Sequence, residues 1–198
     1  MMTAFIMKGV CRREFVQFLI VPTLLAGPIG PAVACGYDGS PSSGLRHPRA
    51  IEVAAALRNA SNAQILDRQL MAPAFVNMMG YHRAVRRLQR LRDSLERAVH
   101  ERKLPGTGFS LLLVEAGLWS RYVPDGEGVS IAIHTPGPQP TDALVFTGEA
   151  AIEAIASGRL STDEAFRRGL IVIDGAPGAN RDLSALLRGA FAVLAEQI

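Results

Sequence analysis

The sequence predicts an α+β domain: a small, mostly antiparallel sheet with helices packed on one face and a long amphipathic helix on its N-terminal side. Two changes in hydrophobic period predict this class. Between residues 50 and 99 the apolar residues recur three and four apart, and from residue 109 they alternate, as in half-buried strands. After residue 149 helical spacing returns, so helices precede and follow the run of strands.

Three helices are expected before the sheet. Residues 50–60 predict a short helix without internal Gly or Pro, and residues 64–71 a second one that stops near Pro73. The longest spans residues 81–99 and ends before Pro105. Its apolar stripe makes it clearly amphipathic.

The polar face of this long helix is rich in arginine. One interpretation is a surface for anionic lipid. The favoured one is a solvated helix surface with pairs such as Asp93 with Arg97. Positive charge early in a helix opposes the helix dipole, so we expect acidic neighbours there. The arginines are Arg83, Arg86, Arg87, Arg90, Arg92 and Arg97.

Four strands are expected next, and the tight connection at Pro124-Asp125-Gly126 favours antiparallel pairing. A helix over residues 149–157 follows, and then one that starts at a capping box of Ser161 and Glu164. A strand and a final helix complete the domain. The strands cover residues 109–114, 119–123, 129–134, 143–147 and 170–173, and the final helix has its core stripe at Leu183, Leu186, Leu187, Phe191 and Leu194.

The first 34 residues are typical of a cleaved export signal. Basic residues precede a short apolar run over residues 15–26, and Ala32-Val33-Ala34 provides a cleavage site. The run is shorter than the roughly 20 apolar residues of a membrane span. We therefore expect the protein to be exported to the bacterial periplasm.

Arg12, Arg13 and Phe15 lie in a segment that resembles the bacterial twin-arginine export motif. Cys11 stands where that motif usually has Ser or Thr, and general secretion remains the alternative route. Cleavage after Ala34 would make Cys35 the first residue. That cysteine is either modified by lipid, which would anchor the protein to a membrane, or a free thiol.

Residues 35–48 are rich in Gly, Ser and Pro and predict a flexible tether. Residues 49–198 have the length of a single domain. The chain carries 21 basic and 18 acidic residues, and loss of the signal leaves the two nearly balanced. Since no sustained basic field remains, we expect no nucleic-acid partner.

Motifs for catalysis are missing from the sequence. It contains no Gly-x-Ser-x-Gly elbow, His-Glu-x-x-His, phosphate loop or Cys-x-x-Cys, and its four histidines are scattered along the chain. We therefore expect no catalytic residues, no metal and no cofactor. An enzyme of unrecognised type would need a polar cluster in a pocket that linear sequence does not reveal.

A series of short motifs lies between residues 147 and 175: Gly158-Arg159-Leu160, Ala165-Phe166, the strand from Gly169 to Ile173, and then Asp174-Gly175 before an amphipathic helix. This series resembles the C-terminal half of the sterol carrier protein 2 family. Those domains end with a Ser-Gly-Lys-Leu turn, an Ala-Phe helix, a Gly-Lys-Leu-Lys-Ile strand and a Gly-Asp turn. The order of the earlier elements extends the resemblance over residues 79–195.

The resemblance implies a non-enzymatic domain whose helices and sheet leave an apolar tunnel for a fatty acyl chain, sterol or similar lipid. Ordinary core packing is the alternative role of each residue that would line it. Carried over from the motif positions, the expected ligand-binding residues are Ile152, Ile155, Phe166, Ile171, Ile173, Leu183, Leu187 and Phe191.

Leu170 and Val172 stand where the family has lysines, so the strand is apolar on both sides and should be buried on both. Either the helices of residues 50–71 or another protein would cover the second side. Two functions follow: an exported binding protein for a lipid or other small hydrophobic ligand or, alternatively, a non-catalytic accessory subunit of a periplasmic complex. Membrane contact is expected only if Cys35 is lipidated.

Overall fold

The computed structural model describes residues 47–71, 78–99, 108–126 and 128–196. The predicted export signal, Cys35 and the predicted tether up to residue 46 lie outside this part of the chain. The described residues form an α+β unit, which confirms the predicted class. Its elements are α1 (Pro48–Asn62), a 3₁₀ turn (Arg68–Met71), α2 (Met78–Val99), β1 (Phe109–Leu113), β2 (Leu118–Asp125), β3 (Gly128–Thr135), β4 (Ala143–Thr147), α3 (Glu149–Ala156), α4 (Thr162–Arg167), β5 (Ile171–Asp174) and α5 (Pro177–Ala195).

The five strands form one sheet in the order β3-β2-β1-β4-β5. The hairpin of β2 and β3 is antiparallel, as predicted, and so are the pairs β1–β2 and β4–β5. The central strands β1 and β4 are parallel, with Phe109 opposite Ala143 and Leu113 opposite Thr147. Alternation along a strand carries no information on its partner, and the sequence did not predict this parallel pair.

The register places two sets of side chains on opposite sides of the sheet. One side, the bundle face, carries Phe109, Tyr122 and Val145 and is covered by α2 and α5. The Tyr122 hydroxyl donates a hydrogen bond of 3.3 Å to the carbonyl of Leu88 in α2. The ring of Tyr122 also stacks on that of Phe109, with centroids 4.8 Å apart.

The other side, the α1 face, carries Phe146 and Val172 and is covered at β4 and β5 by α1. His47, the N-cap of α1, stacks on the Phe146 ring at a centroid distance of 4.7 Å, and its Nε2 lies 3.7 Å from a carboxylate oxygen of Asp174. Leu170 is fully buried and Val172 half-buried. Of the two covers that the sequence left open, the chain's own α1 is the one present here.

The long helix α2 packs its apolar stripe against α5 and the sheet, and Leu88, Leu91 and Leu95 are completely buried. The two helices approach closely where Gly189 faces Ala98, since a Cβ at position 189 would lie 3.6 Å from the Ala98 methyl group. The predicted helical stripe over residues 81–99 is therefore confirmed, with a start three residues earlier.

Two local predictions need correction. The short helix predicted over residues 64–71 is mostly absent. Gln64 has a left-handed backbone conformation, and only Arg68–Met71 are helical, as one turn of 3₁₀ helix. The capping box is half formed: the Ser161 hydroxyl accepts from the amide of Glu164, but the Glu164 carboxylate pairs with Arg167 and Arg168. Two nearby guanidinium groups hold that carboxylate more strongly than a single backbone amide would.

Candidate functional site

The eight residues predicted to bind a ligand lie on β5 and on helices α3, α4 and α5, which pack against one another or against β5. Ile171 and Ile173 point from β5 to the bundle face of the sheet, because they pair with Thr147 and Val145. Helices α3, α4 and α5 supply the other six, and all eight belong to or pack against one hydrophobic core. We call these eight residues the apolar layer.

Burial divides the apolar layer into an interior and an edge. Six of its residues are at most 3% exposed, whereas Phe166 in α4 and Ile173 in β5 are half-buried. Both lie at the side of the domain where β5 is the last strand of the sheet. The apolar layer therefore reaches the surface at Phe166 and at Ile173, and we call these two residues the mouth of the layer.

An arginine of α5 lies over the mouth. The Arg188 guanidinium carbon is 4.7 Å from the centroid of the Phe166 ring, a cation–π arrangement. Its Nε donates a 2.7 Å hydrogen bond to Oδ1 of Asp163 in the first turn of α4. Both partners are well exposed, at 44% and 66% of their side-chain area.

A second group of polar residues joins α2 to α3. Glu149, with a side chain only 2% exposed, accepts hydrogen bonds from Arg83 at 2.6 Å and from Arg87. Arg87 also pairs with Glu153 at 2.8 Å, one helical turn further along α3. Glu149 and Glu153 are the acidic neighbours that the sequence predicted for the arginine-rich start of α2. We call the four residues the α2–α3 junction.

Glu115 lies beside this junction, in the turn between β1 and β2. The N-cap of α3, Gly148, has no side chain, and the Glu115 carboxylate takes its role by accepting from the Glu149 amide at 3.1 Å. A Cβ at position 148 would lie less than 3 Å from both Glu115 carboxylate oxygens and from the end of the Leu57 side chain, so a larger residue there would displace these two side chains.

The second carboxylate oxygen of Glu115, Oε1, is buried without a hydrogen-bond partner, although other parts of the residue reach solvent. Burial raises the pKa of Glu115 to about 7. Hydrogen bonds from backbone amides, including those of Glu149 and Ala150, lower this pKa but do not outweigh burial. Repulsion from the Glu149 carboxylate adds to the rise. Glu115 therefore titrates near neutral pH.

On the α1 face, Asp142 forms a third polar group. It ends the connection from β3 to β4 and accepts from Arg121 through two bonds, at 2.8 and 3.0 Å, and from the Ser110 hydroxyl at 2.7 Å. Burial alone would raise the pKa of Asp142, but the hydrogen bonds from Arg121 and Ser110 outweigh it and lower that pKa. We call Ser110, Arg121 and Asp142 the Asp142 clamp.

These polar groups do not form a metal centre. Within the described ranges, no three His, Cys, Asp or Glu side chains lie close enough together to hold a metal ion. An open, polar pocket of about 370 Å³ lies between α2 and the β2–β3 hairpin, lined by Arg92, Glu96 and Asp125 among others. It contains none of the predicted ligand-binding residues.

The sequence missed the roles of Glu115, Arg188 and Asp163. Glu115 lies 34 residues from the amide that it caps, and Arg188 lies 25 residues from Asp163. Such long-range pairs leave no local pattern. For α2 the signal was present, since an excess of positive charge at a helix start requires compensation from elsewhere.

No helix in the described part of the chain is long and apolar enough to cross a membrane. No protein-family model, curated protein or solved structure gives a significant match to this chain.

Proposed function

We propose that this protein is an exported, non-enzymatic binding protein for a lipid or other small hydrophobic ligand. The observation that carries the proposal is that the eight apolar-layer residues come from four neighbouring elements, β5 and helices α3 to α5, and that the layer reaches the surface at Phe166 and Ile173. The resemblance of residues 147–175 to the sterol carrier protein 2 family supports the same function. The ligand would lie between the sheet and helices α3 to α5.

The alternative, an accessory subunit of a periplasmic complex, has less support. It rests on the segment that resembles a twin-arginine signal, which an exported binding protein would share, and on a strand that is apolar on both sides, at Leu170 and Val172. Since α1 covers β4 and β5 on that side, the strand does not require a second protein as a cover.

The test begins with native mass spectrometry of the mature protein purified gently from its own periplasm, followed by extraction with organic solvent. A stoichiometric adduct of lipid size that disappears on extraction is the expected result. A bare polypeptide that also takes up no fluorescent fatty acid after extraction would overturn the proposal. A mass that includes another polypeptide in place of the lipid would favour the accessory subunit.

Two neighbouring residues of β5 give a matched pair of variants. Ile173 and Val172 are both half-buried, but they point to opposite sides of the sheet. Ile173→Trp should fill the apolar layer at its mouth and reduce uptake of a fluorescent fatty acid at least tenfold. Val172→Trp adds the same bulk under α1 and should leave uptake within about twofold, if both variants show the wild-type circular dichroism spectrum. Equal uptake by both variants would contradict a ligand site on the bundle face.

A further inference from the structure

We propose that Arg188 binds the negatively charged head group of the ligand, and that the ligand is a single-chain amphiphile with a carboxylate head. This inference rests on the proposed function, because it assumes that an acyl chain enters the apolar layer. It adds the chemical class of the ligand and a residue that selects it.

The first argument is position. Of the eight residues of the apolar layer, Phe166 and Ile173 are the two that reach the surface, and the Arg188 guanidinium lies over the Phe166 ring. A chain that entered at the mouth would leave its polar end beside this group. The interior of the layer supplies only apolar side chains, so the head group of an amphiphile would remain outside, at Arg188.

The second argument is the unused hydrogen-bonding capacity of Arg188. Asp163 takes the Nε proton alone, and among the described residues no acceptor is bonded to either Nη atom. Arg121 provides the contrast, since it donates to both oxygens of Asp142 through Nε and Nη2. A guanidinium group binds a carboxylate best through two parallel bonds, and Arg188 has these donors available.

The third argument is that Asp163 can be replaced at low cost. Its pair with Arg188 is exposed on both sides, and exposed ion pairs contribute little to stability. Asp163 therefore competes with the ligand carboxylate for the positive charge of Arg188. This makes the two residues respond in opposite directions: removing Arg188 weakens binding of a carboxylate ligand, and neutralising Asp163 strengthens it.

The experiment measures the affinity of the delipidated mature protein for palmitate and for cetyl alcohol, which has the same chain length and no charge. Arg188→Met keeps the length and the apolar stem of the side chain, and should weaken palmitate binding about tenfold. Asp163→Asn should tighten it by up to about fivefold. Binding of cetyl alcohol should stay within about twofold in both variants.

Arg58→Met is the control for loss of a positive charge. Arg58 is exposed on α1, on the opposite side of the sheet, and its replacement should leave both affinities unchanged. If both ligands bind wild type but Arg188→Met weakens neither, or weakens both equally, the role of Arg188 is overturned and the carrier function stands. The same holds if Asp163→Asn weakens palmitate binding. If wild type binds neither ligand, the proposed function itself fails.

Discussion

Two carboxylates with buried oxygens, Glu115 and Asp142, respond to burial in opposite ways. Asp142 has the guanidinium of Arg121 on both oxygens and the Ser110 hydroxyl on one, and its pKa is lowered. Glu115 has backbone amides on one side, an unpaired oxygen on the other and the Glu149 charge nearby, and its pKa is raised to about 7.

The difference shows that partners, rather than burial, decide whether a shielded carboxylate keeps its charge. The two arginines of the neighbouring junction have other partners, because Arg83 binds Glu149 and Arg87 binds Glu149 and Glu153. The α2–α3 junction therefore neutralises the acidic residues of α3 and leaves Glu115 to the helix amides alone.

The largest effect is expected at Arg87, the most buried cation of the α2–α3 junction. Arg87→Met retains most of the side-chain volume but leaves the Glu149 carboxylate with Arg83 as its charged partner. Breaking a buried ion pair on one side costs about 3–5 kcal/mol. The free energy of unfolding in urea should fall by that amount. Arg86, an exposed neighbour on the same helix, provides the control, and Arg86→Met should change the free energy of unfolding by less than about 0.5 kcal/mol. Equal losses in the two variants would mean that the ion pairs of the α2–α3 junction do not stabilise the fold.

The next effect is a pH dependence from Glu115. Because its pKa is raised in the folded protein, to about 7, the folded state binds the proton more tightly than the unfolded state. The stability that Glu115 contributes is fully present below its unfolded pKa of about 4.3 and is lost as the pH rises through about 7. Urea unfolding should show a decrease of about 2–3 kcal/mol between pH 5 and pH 8.

Glu115→Gln should remove this decrease, because the amide does not titrate. The profile of the variant should be flat between pH 5 and pH 8, apart from changes common to both proteins. Glu196→Gln, at an exposed position after α5, is the control and should keep the wild-type slope. A wild-type slope in Glu115→Gln would assign the titration to another group.

The sequence predicted the order of elements because each element has a local signature. Each of these signals lies within a short stretch of sequence, and the structure contains all three: the alternation over residues 109–147, the apolar stripe of α2 and the Ser161 N-cap. The parallel pairing of β1 with β4 was not predictable in this way. It depends on the chain crossing from the end of β3 to the start of β4, which no period in the sequence encodes.

The same limit applies to the polar groups and to the site. Ser110 and Arg121 meet Asp142 across 32 and 21 residues, and only the sheet register brings them together. The residues of the apolar layer were predicted to bind a ligand from a resemblance in sequence, and that role stays a prediction. Their division into a buried interior and a mouth depends on how α4 and β5 end the sheet, which becomes visible only in three dimensions.

A smaller effect is expected from Asp142→Asn. The amide cannot accept the two charged bonds from Arg121, but Arg121 is partly exposed and can turn to water. A loss of about 1–2 kcal/mol at pH 7 follows. Because the pKa of Asp142 is lowered in the folded state, its contribution is present above the unfolded pKa of about 3.9 and is lost as the pH falls through the folded value. The gap between wild type and variant should therefore narrow as the pH falls below about 3.9, and a gap of constant size across that range would indicate lost packing instead.

The smallest effect is expected from Ser110→Ala, which removes one neutral donor from the Asp142 clamp and leaves Arg121 in place. The loss should be about 1 kcal/mol, and the pKa of Asp142, followed by NMR of its carboxyl carbon, should rise while staying below that of Glu115. This variant separates the contribution of a hydroxyl from that of a guanidinium. If the pKa of Asp142 rose to that of Glu115, the Ser110 hydroxyl rather than Arg121 would be the partner that keeps Asp142 charged. The difference in pKa between the two carboxylates would then depend on one neutral hydrogen bond.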